Sequence, residues 1–325
     1  MGGLFSKGFD PTKDISDLSG KVIIVTGGNA GIGYATVQHL ARHGAKVYLA
    51  ARSEEKAKAA IERLKKEGLA PENGEVIWLE LDLSDPKKAK KSAEHFLNKE
   101  KRLDVLINNA AMLLTPYAKS LYDIQDVMVV NHLSPFVFTI TLLPLLKETA
   151  KLPGTDVRIV NVSSDAIKML KSVHFANKED FNDEHAKALI PAMARYGRSK
   201  LANVLFTKEL QRRLDEEGVP IIVLSLHPGG VDTDGNQAFI KRSSALLRPL
   251  FKAVTALFFV APSKGATSSA FAAAAPVVRA EPEKYKGVYL TEKATINSGT
   301  PDANNTELAK ELWETTESLL KEIDV

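Results

Sequence analysis

The sequence predicts a single α/β domain with a doubly wound, mostly parallel sheet of seven strands. From Lys21 onward, short apolar and β-branched runs alternate with charged amphipathic stretches, which is the pattern of βαβ units. The first of these runs passes through a glycine-rich turn, residues 26–33, directly into a helical pattern. No internal repeat or break in composition marks a second domain. We therefore expect a leader at 1–19 and one domain at 20–325, with an insert at 165–192 and a lid at 234–262.

The individual elements follow from the same periodicity. The predicted strands lie at 21–26, 46–51, 75–81, 103–108, 157–163, 220–226 and 286–290. The predicted helices lie at 32–44, 54–68, 86–99, 118–148, 192–217, 263–275 and 306–322.

The composition excludes several classes of function. The 325 residues contain 43 Lys and Arg against 40 Asp and Glu, a net charge of +3, and basic residues are interspersed with acidic ones. This argues against a nucleic-acid partner. The chain has no cysteine, which excludes disulfides, thiolate metal sites and cysteine nucleophiles. We expect a cytoplasmic protein without a bound metal.

The N-terminus carries one modification signal. Residues 1–6 fit the myristoylation pattern at Gly2, and the alternative is a leader whose Leu4 and Phe5 pack on the domain. No secretion signal is present, and no unbroken apolar run reaches the roughly 18 residues of a membrane span.

The glycine-rich turn predicts a dinucleotide site. Gly27, Gly31 and Gly33 allow a tight turn between strand and helix, with Asn29 and Ile32 between them. Backbone N–H groups at the start of the helix can then approach a pyrophosphate, which the helix dipole favours.

Arg52 indicates which dinucleotide is bound. It stands at the end of the second strand, where an acidic residue would hold the ribose of NAD, and a guanidinium can pair with the 2′-phosphate of NADP instead. We therefore expect NADPH to be preferred over NADH. The alternative is an exposed arginine at the start of the next helix.

Polar segments also follow the third and fourth strands. Asp82 and Leu83 come after the third, and Asn109 and Ala110 after the fourth, at the sheet edge where open α/β sheets bind ligands. Asp82 could accept from the adenine amine or cap the helix at 86, a role that Ser84 could take instead.

A second group of residues predicts a reactive site. Tyr196 and Lys200 are four residues apart on a predicted helix, so both side chains reach one site and the ammonium is expected to lower the pKa of the phenol. Asn131, in an apolar helical pattern, is either a structural bridge or part of that polar site. Ser164 lacks the G-x-S-x-G context of a hydrolase nucleophile.

Together these motifs resemble the short-chain dehydrogenase/reductase family. They are T-G-x-x-x-G-x-G at 26–33, N-N-A at 108–110, Asn131, Ser164, Y-x-x-x-K at 196–200 and P-G-G-V-D-T at 228–233. The stretch from 140 to 320 looks like the retinol-dehydrogenase-like or carbonyl-reductase-like branch.

The resemblance implies a Rossmann domain with a tetrad of Asn131, Ser164, Tyr196 and Lys200. Ser164 would bind the substrate oxygen, Tyr196 would supply its proton, Lys200 would bind the nicotinamide ribose, and Asn131 would hold a water in the proton relay. The segment at 228–233 would cover the nicotinamide. Its predicted cofactor contacts are Pro228, Gly229, Val231 and Thr233.

The resemblance also implies the substrate class. We expect reduction of a lipophilic aldehyde or ketone, or the reverse, with the insert as one wall of the pocket and an apolar helix at 236–262 as lid. That helix or an acylated Gly2 could add a peripheral membrane contact, and the chain could be a monomer or a homodimer. The alternatives are a regulatory or interaction protein that binds a dinucleotide without turnover, and a sugar-nucleotide epimerase or dehydratase.

Overall fold

A computed structural model describes residues 8–69, 73–231 and 261–325. One eight-stranded sheet forms the centre, in the order β3-β2-β1-β4-β5-β6-β7-β8. The strands are β1 Val22–Thr26, β2 Lys46–Ala51, β3 Val76–Glu80, β4 Val105–Asn108, β5 Val157–Val162, β6 Ile221–Leu226, β7 Tyr289–Leu290 and β8 Ile296–Asn297.

The predicted fold class is confirmed, with one strand more than expected. All neighbouring strands pair in parallel except β7 and β8, which are antiparallel. A tight turn joins these two strands, in which Thr291 N–H donates to the Thr295 carbonyl and Ala294 has a positive φ of 55°. A strand of two residues is too short for a period to be visible in the sequence.

Within the described residues seven longer helices cover the sheet, and most begin and end near their predicted limits. They are α1 Gly31–Arg42, α2 Glu54–Lys66, α3 Pro86–Lys99, α4 Asp126–Ala150, α5 Pro191–Glu216, α6 Pro262–Ala274 and α7 Thr306–Glu322. Short helices lie at Lys178–Phe181, Pro276–Ala280 and Pro282–Tyr285.

The fourth helix was predicted to begin at 118, which is wrong. Residues 119 and 125 pair across a tight loop in which Asp123 has a φ of 57°, and the helix starts only at Asp126. Its hydropathy and length would suit a membrane span, but 67% of the most apolar window is buried inside the protein. α4 is therefore packed as a core helix, and its apolar composition is the one expected of a buried helix.

The sheet separates two apolar layers. Along β1, Val22 and Ile24 belong to a cluster with α3, α4, α5 and α7, whereas Ile23 and Val25 face a cluster with α1, α2 and α6. Every residue of β1 is buried, as expected for a parallel strand covered on both faces.

The described part of the predicted leader, residues 8–19, belongs to the domain. Phe9 packs edge-on against Phe271 of α6 at 5.2 Å between ring centroids, and Ile15 is buried. Leu18 N–H donates to the His43 carbonyl at 2.7 Å. The predictions for Gly2 and for residues 234–260 of the lid lie outside the described residues.

Candidate active site

Hydrogen bonds around Thr26 join the carboxyl ends of β1 and β4. The Thr26 hydroxyl accepts from the backbone N–H groups of Asn109 and Ala110, both at 2.9 Å. The Asn109 side chain donates to the Thr26 carbonyl at 2.8 Å. The glycine-rich turn, which includes Asn29 and Ile32, and the Asn-Asn-Ala segment thus form one unit.

The glycine turn fits the pyrophosphate of a dinucleotide. Gly27 and Gly31 have φ values of 66° and 55°, which glycine adopts without strain. A Cβ at Gly33 would lie 2.3 Å from the Gly27 carbonyl oxygen, so only glycine fits there. No side chain caps α1 and no acidic residue lies in its first turn. Its first N–H groups are therefore available to an anion.

Arg52 and Asp82 lie at the ends of β2 and β3. Arg52 is exposed and lines a groove with Trp78, Asp82 and Lys88. Lys88 Nζ donates to Asp82 Oδ2 at 2.9 Å. Burial raises the pKa of Asp82, but hydrogen bonds from Lys88 and Ser84 outweigh this and lower it. The groove therefore holds an ionised carboxylate whose charge a lysine balances.

Neither residue proposed to cap α3 does so. The N-cap is Asp85, whose Oδ1 accepts from Lys87 N–H at 2.9 Å. Ser84 instead donates its hydroxyl to Asp82 at 2.7 Å. Leu83, another predicted cofactor contact, is buried in the core.

Asn131 forms a bridge between two parts of the chain. It lies in a π-helical turn of α4, residues 129–133, and its side chain exchanges hydrogen bonds with the backbone of Met112 at 2.7 and 2.9 Å. Its Nδ2 also donates to the Ser199 hydroxyl at 2.9 Å, and its carbonyl accepts from Asn203 Nδ2 at 2.8 Å. These contacts support the structural-bridge alternative.

The structure brings Ser164, Tyr196 and Lys200 to one place. Ser164 follows β5, and its hydroxyl accepts from Ala166 N–H at 3.2 Å. Tyr196 and Lys200 are one turn apart on α5, with Nζ 5.8 Å from the ring centroid. Lys200 Nζ donates to the Val162 carbonyl at 2.7 Å, which fixes the buried ammonium at the end of β5.

The pKa of Tyr196 moves in the direction opposite to that expected. Burial raises it to about 12, and a side-chain hydrogen bond with Ser164 lowers it only in part. Burial also lowers the pKa of Lys200 to about 7, because charging its amine away from water is costly. In this environment the phenol is protonated at neutral pH.

The loop after β6 closes over the same edge. Gly229 has a φ of 90°, and a Cβ there would lie 3.1 Å from the Cβ of Glu292. Val231 is buried and packs against Gly265 of α6, where a Cβ would approach its Cγ2 to 2.5 Å. Pro228 lies in this loop, and Thr233 lies outside the described residues.

Several residues that hold the site were missed in the sequence. Thr26, Ser199, Asn203 and His227 make hydrogen bonds to predicted site residues or to the backbone around them. Their only sequence signal is position, since each lies within or beside a recognised motif.

The insert folds onto α5 and α7. Arg198 of α5 donates to the His174 carbonyl, and its guanidinium lies over the Phe175 ring at 5.0 Å from the centroid. Phe175 N–H donates to Glu311 of α7 at 2.5 Å. Within the described ranges no group of three or more His, Asp or Glu residues could hold a metal ion.

Comparisons with known proteins point to one family. The family model for short chain dehydrogenases matches residues 21–176. A short-chain dehydrogenase/reductase of Armillaria gallica is 47% identical over 308 residues, 95% of each chain. Retinol dehydrogenase 12 of Mus musculus is 36% identical over 305 residues, 93% of this chain and 87% of that one.

Solved structures share the fold. An uncharacterized protein from Mycobacterium paratuberculosis superposes with a TM-score of 0.70 at 28% identity, over 97% of this chain and 98% of that one. A blue fluorescent protein from a metagenomic library, in complex with NADPH, gives a TM-score of 0.60 at 26% identity, over 85% and 97%. This chain belongs to the short-chain dehydrogenase/reductase family, in its retinol-dehydrogenase-like branch.

Proposed function

We propose that the protein is an NADPH-dependent oxidoreductase that reduces a lipophilic aldehyde or ketone to the alcohol. The observation that carries this proposal is the convergence of Ser164, Tyr196 and Lys200 at the carboxyl end of β5, on the same edge of the sheet as the glycine turn. A phenol and a hydroxyl at one point can bind a single carbonyl oxygen between them.

In this mechanism Tyr196 donates its proton to the substrate oxygen while Ser164 holds the same oxygen by a hydrogen bond. NADPH, when bound, supplies the hydride. Burial keeps the phenol protonated, which is the form needed to donate a proton. Reduction is therefore the direction in which this arrangement works without first removing a proton from Tyr196.

Lys200 has a supporting role in the proposal. Its buried Nζ, held by the Val162 carbonyl, is the donor that would bind the nicotinamide ribose. Its pKa of about 7 lets it gain or lose a proton near neutrality, as a relay to Tyr196 requires. Asn131 orients α5 through Ser199, the neighbour of Lys200, and its carbonyl would hold the relay water.

The preference for NADPH rests on the end of β2. Arg52 is exposed at this point and follows the small, buried Ala51, so a 2′-phosphate would meet a guanidinium and no carboxylate from that strand. Lys88 balances the nearby Asp82. A structural neighbour solved in complex with NADPH is consistent with this choice.

The substrate class is proposed from apolar side chains near the site. Met112, Leu113 and Leu114 are partly exposed just after Ala110, beside the Asn131 bridge. The predicted lid, residues 234–262, would add further apolar surface. The mouse relative carries the name of a retinol dehydrogenase, which makes a long apolar alcohol or its aldehyde a first compound to test.

We also propose a cytoplasmic enzyme, with a peripheral membrane contact through Gly2 or the lid helix as the alternative.

A monomer is favoured over a homodimer because α7 covers one face of α5. Trp313 stacks on Phe206 with centroids 5.8 Å apart, and Arg213 lies over the same indole at 4.2 Å. A partner helix cannot occupy the surface that α7 already fills.

The test is a panel of aldehydes, ketones and alcohols of increasing chain length, followed by the absorbance of NADPH and, in parallel, NADH. We expect turnover of long apolar carbonyls with NADPH. Cofactor binding without turnover of any compound would support a regulatory protein instead. A parallel assay of product formation from sugar nucleotides covers the remaining alternative, since turnover confined to them would support an epimerase or dehydratase.

A further inference from the structure

His227 lies where the ends of three strands meet. It directly follows β6, and its side chain is only 11% exposed. Its Nδ1 accepts from two backbone N–H groups, that of Asp165 at 3.3 Å and that of Gly229 at 3.4 Å. Asp165 is the neighbour of Ser164, and Gly229 belongs to the loop expected to cover the nicotinamide. One ring nitrogen thus joins the catalytic loop to the cofactor loop.

The opposite ring nitrogen fixes the tautomer. Nε2 faces Asp165 Oδ2 at 3.5 Å and Glu292 Oε2 at 3.7 Å. Nδ1 can accept two hydrogen bonds only when the ring proton is on Nε2, and that N–H then points toward both carboxylates. The N–H donors at Nδ1 and the carboxylate acceptors at Nε2 therefore both favour the neutral tautomer with the proton on Nε2.

Charged groups from each adjacent segment act on this ring. Asp165 also pairs with Lys168 at 2.8 Å and accepts from the Tyr289 hydroxyl of β7 at 3.3 Å. Glu292 comes from the turn after β7. The ring therefore sits among two carboxylates and one lysine whose charge Asp165 partly balances.

We propose that His227 is a positioning residue: its neutral ring holds the cofactor loop at 228–231 against the loop of Ser164, and protonation on acidification releases that loop. The proposal rests on the proposed function, since it assumes that this loop covers a bound cofactor.

The direction of the pH effect follows from the contacts. A second ring proton would sit on Nδ1 and point at two N–H donors, so both hydrogen bonds would be lost. Burial lowers the pKa of His227, Asp165 and Glu292 raise it, and the net shift is downward from 6.5. The loop is therefore held at neutral pH and released only on the acid side of that value.

Two substitutions distinguish the role of Nδ1 as a hydrogen-bond acceptor from the titration of the His227 ring. His227→Asn keeps an oxygen near the position of Nδ1 but cannot ionise, whereas His227→Leu removes the acceptor. Hydrogen–deuterium exchange of the cofactor-free protein reports the loop directly, after correction for intrinsic exchange rates. Because each lost hydrogen bond contributes about 1 kcal/mol, we expect His227→Leu to lower the protection of the Gly229 and Asp165 amides about five- to tenfold at pH 7.

The Asn variant should keep that protection at pH 7. It should also keep it through a titration from pH 6.5 downward, in which the wild type loses part of its own. Equal protection in all three proteins at pH 7 and throughout the titration would overturn the proposal. A thermal melt of each variant shows whether a change is local or reflects unfolding of the whole domain.

Kinetics provide the second readout. His227→Leu should raise KM for NADPH about tenfold and change kcat less, and His227→Asn should restore KM. The 2′-phosphate of NADPH titrates near pH 6 in every variant, so only the difference between wild type and the Asn variant reports His227. A wild type without turnover would reject the proposed function but leave the exchange experiment valid. An active wild type with an unchanged Leu variant would reject the role of His227 alone.

Discussion

Replacing Gly33 by alanine tests the contact on which the cofactor site is built. The added Cβ would lie 2.3 Å from the Gly27 carbonyl oxygen and 2.6 Å from Asn109 Nδ2. To relieve this, the backbone of the glycine turn must move by roughly 0.7 Å, and overpacking of this kind costs about 1–3 kcal/mol. Alanine in a helix recovers about 1 kcal/mol relative to glycine.

The expected loss of global stability is therefore small, about 0–2 kcal/mol. Cofactor affinity has no such compensation, because the displaced turn carries the N–H groups that would bind the pyrophosphate. We expect NADPH to bind at least about tenfold more weakly, measured by titration of its fluorescence. Gly8→Ala is the control, since a Cβ there has no atom within 4 Å. Unchanged affinity in Gly33→Ala would refute the proposed position of the pyrophosphate.

Three further predictions concern chemistry, cofactor choice and pH. Tyr196→Phe should lower kcat about a hundredfold or more, because the phenol acts on the substrate oxygen. NADPH should still bind in a fluorescence titration. A near-native kcat would exclude Tyr196 as the acid. The double change Ala51→Asp with Arg52→Ala should shift the ratio of kcat/KM values toward NADH by about one to two powers of ten, and a wild type that uses both cofactors equally would reject the role of Arg52. Burial lowers the pKa of His132 to about 3. Between that value and about 6.5 the unfolded chain therefore binds more protons than the folded one. The free energy of unfolding due to the neutral ring falls as the pH drops through this range. Urea unfolding at pH 7 and pH 5 should therefore show a smaller pH effect in His132→Phe than in the wild type, and equal pH effects would contradict a buried neutral ring.

Local patterns in the sequence were sufficient for most of the architecture. The strand–turn–helix at 22–42 was predictable because glycines occur where the backbone needs positive φ or close approach. Helix α3 has its predicted limits, since Pro86 favours the first turn of a helix. The loop at 118–125 was mistaken for helix because its composition does not reveal the pairing of Lys119 with Gln125.

Electrostatics within the site could not be predicted in the same way. The spacing of Tyr196 and Lys200 correctly placed both groups on one helix face. It gave the wrong direction for the pKa of Tyr196, because burial depends on how α5 packs against β5 and the insert. The bond of Lys200 to the Val162 carbonyl is likewise a contact between distant parts of the chain.

The sequence by itself determined the family and the fold class and predicted the residues of the tetrad, because short motifs with fixed spacing encode local turns and helix faces. Only the tertiary structure decided that Asn131 is tied to Met112 and Ser199 and that His227 joins two loops. Most of those contacts connect residues that are far apart in the sequence. Parallel strands bring their carboxyl ends together only when the whole sheet has formed.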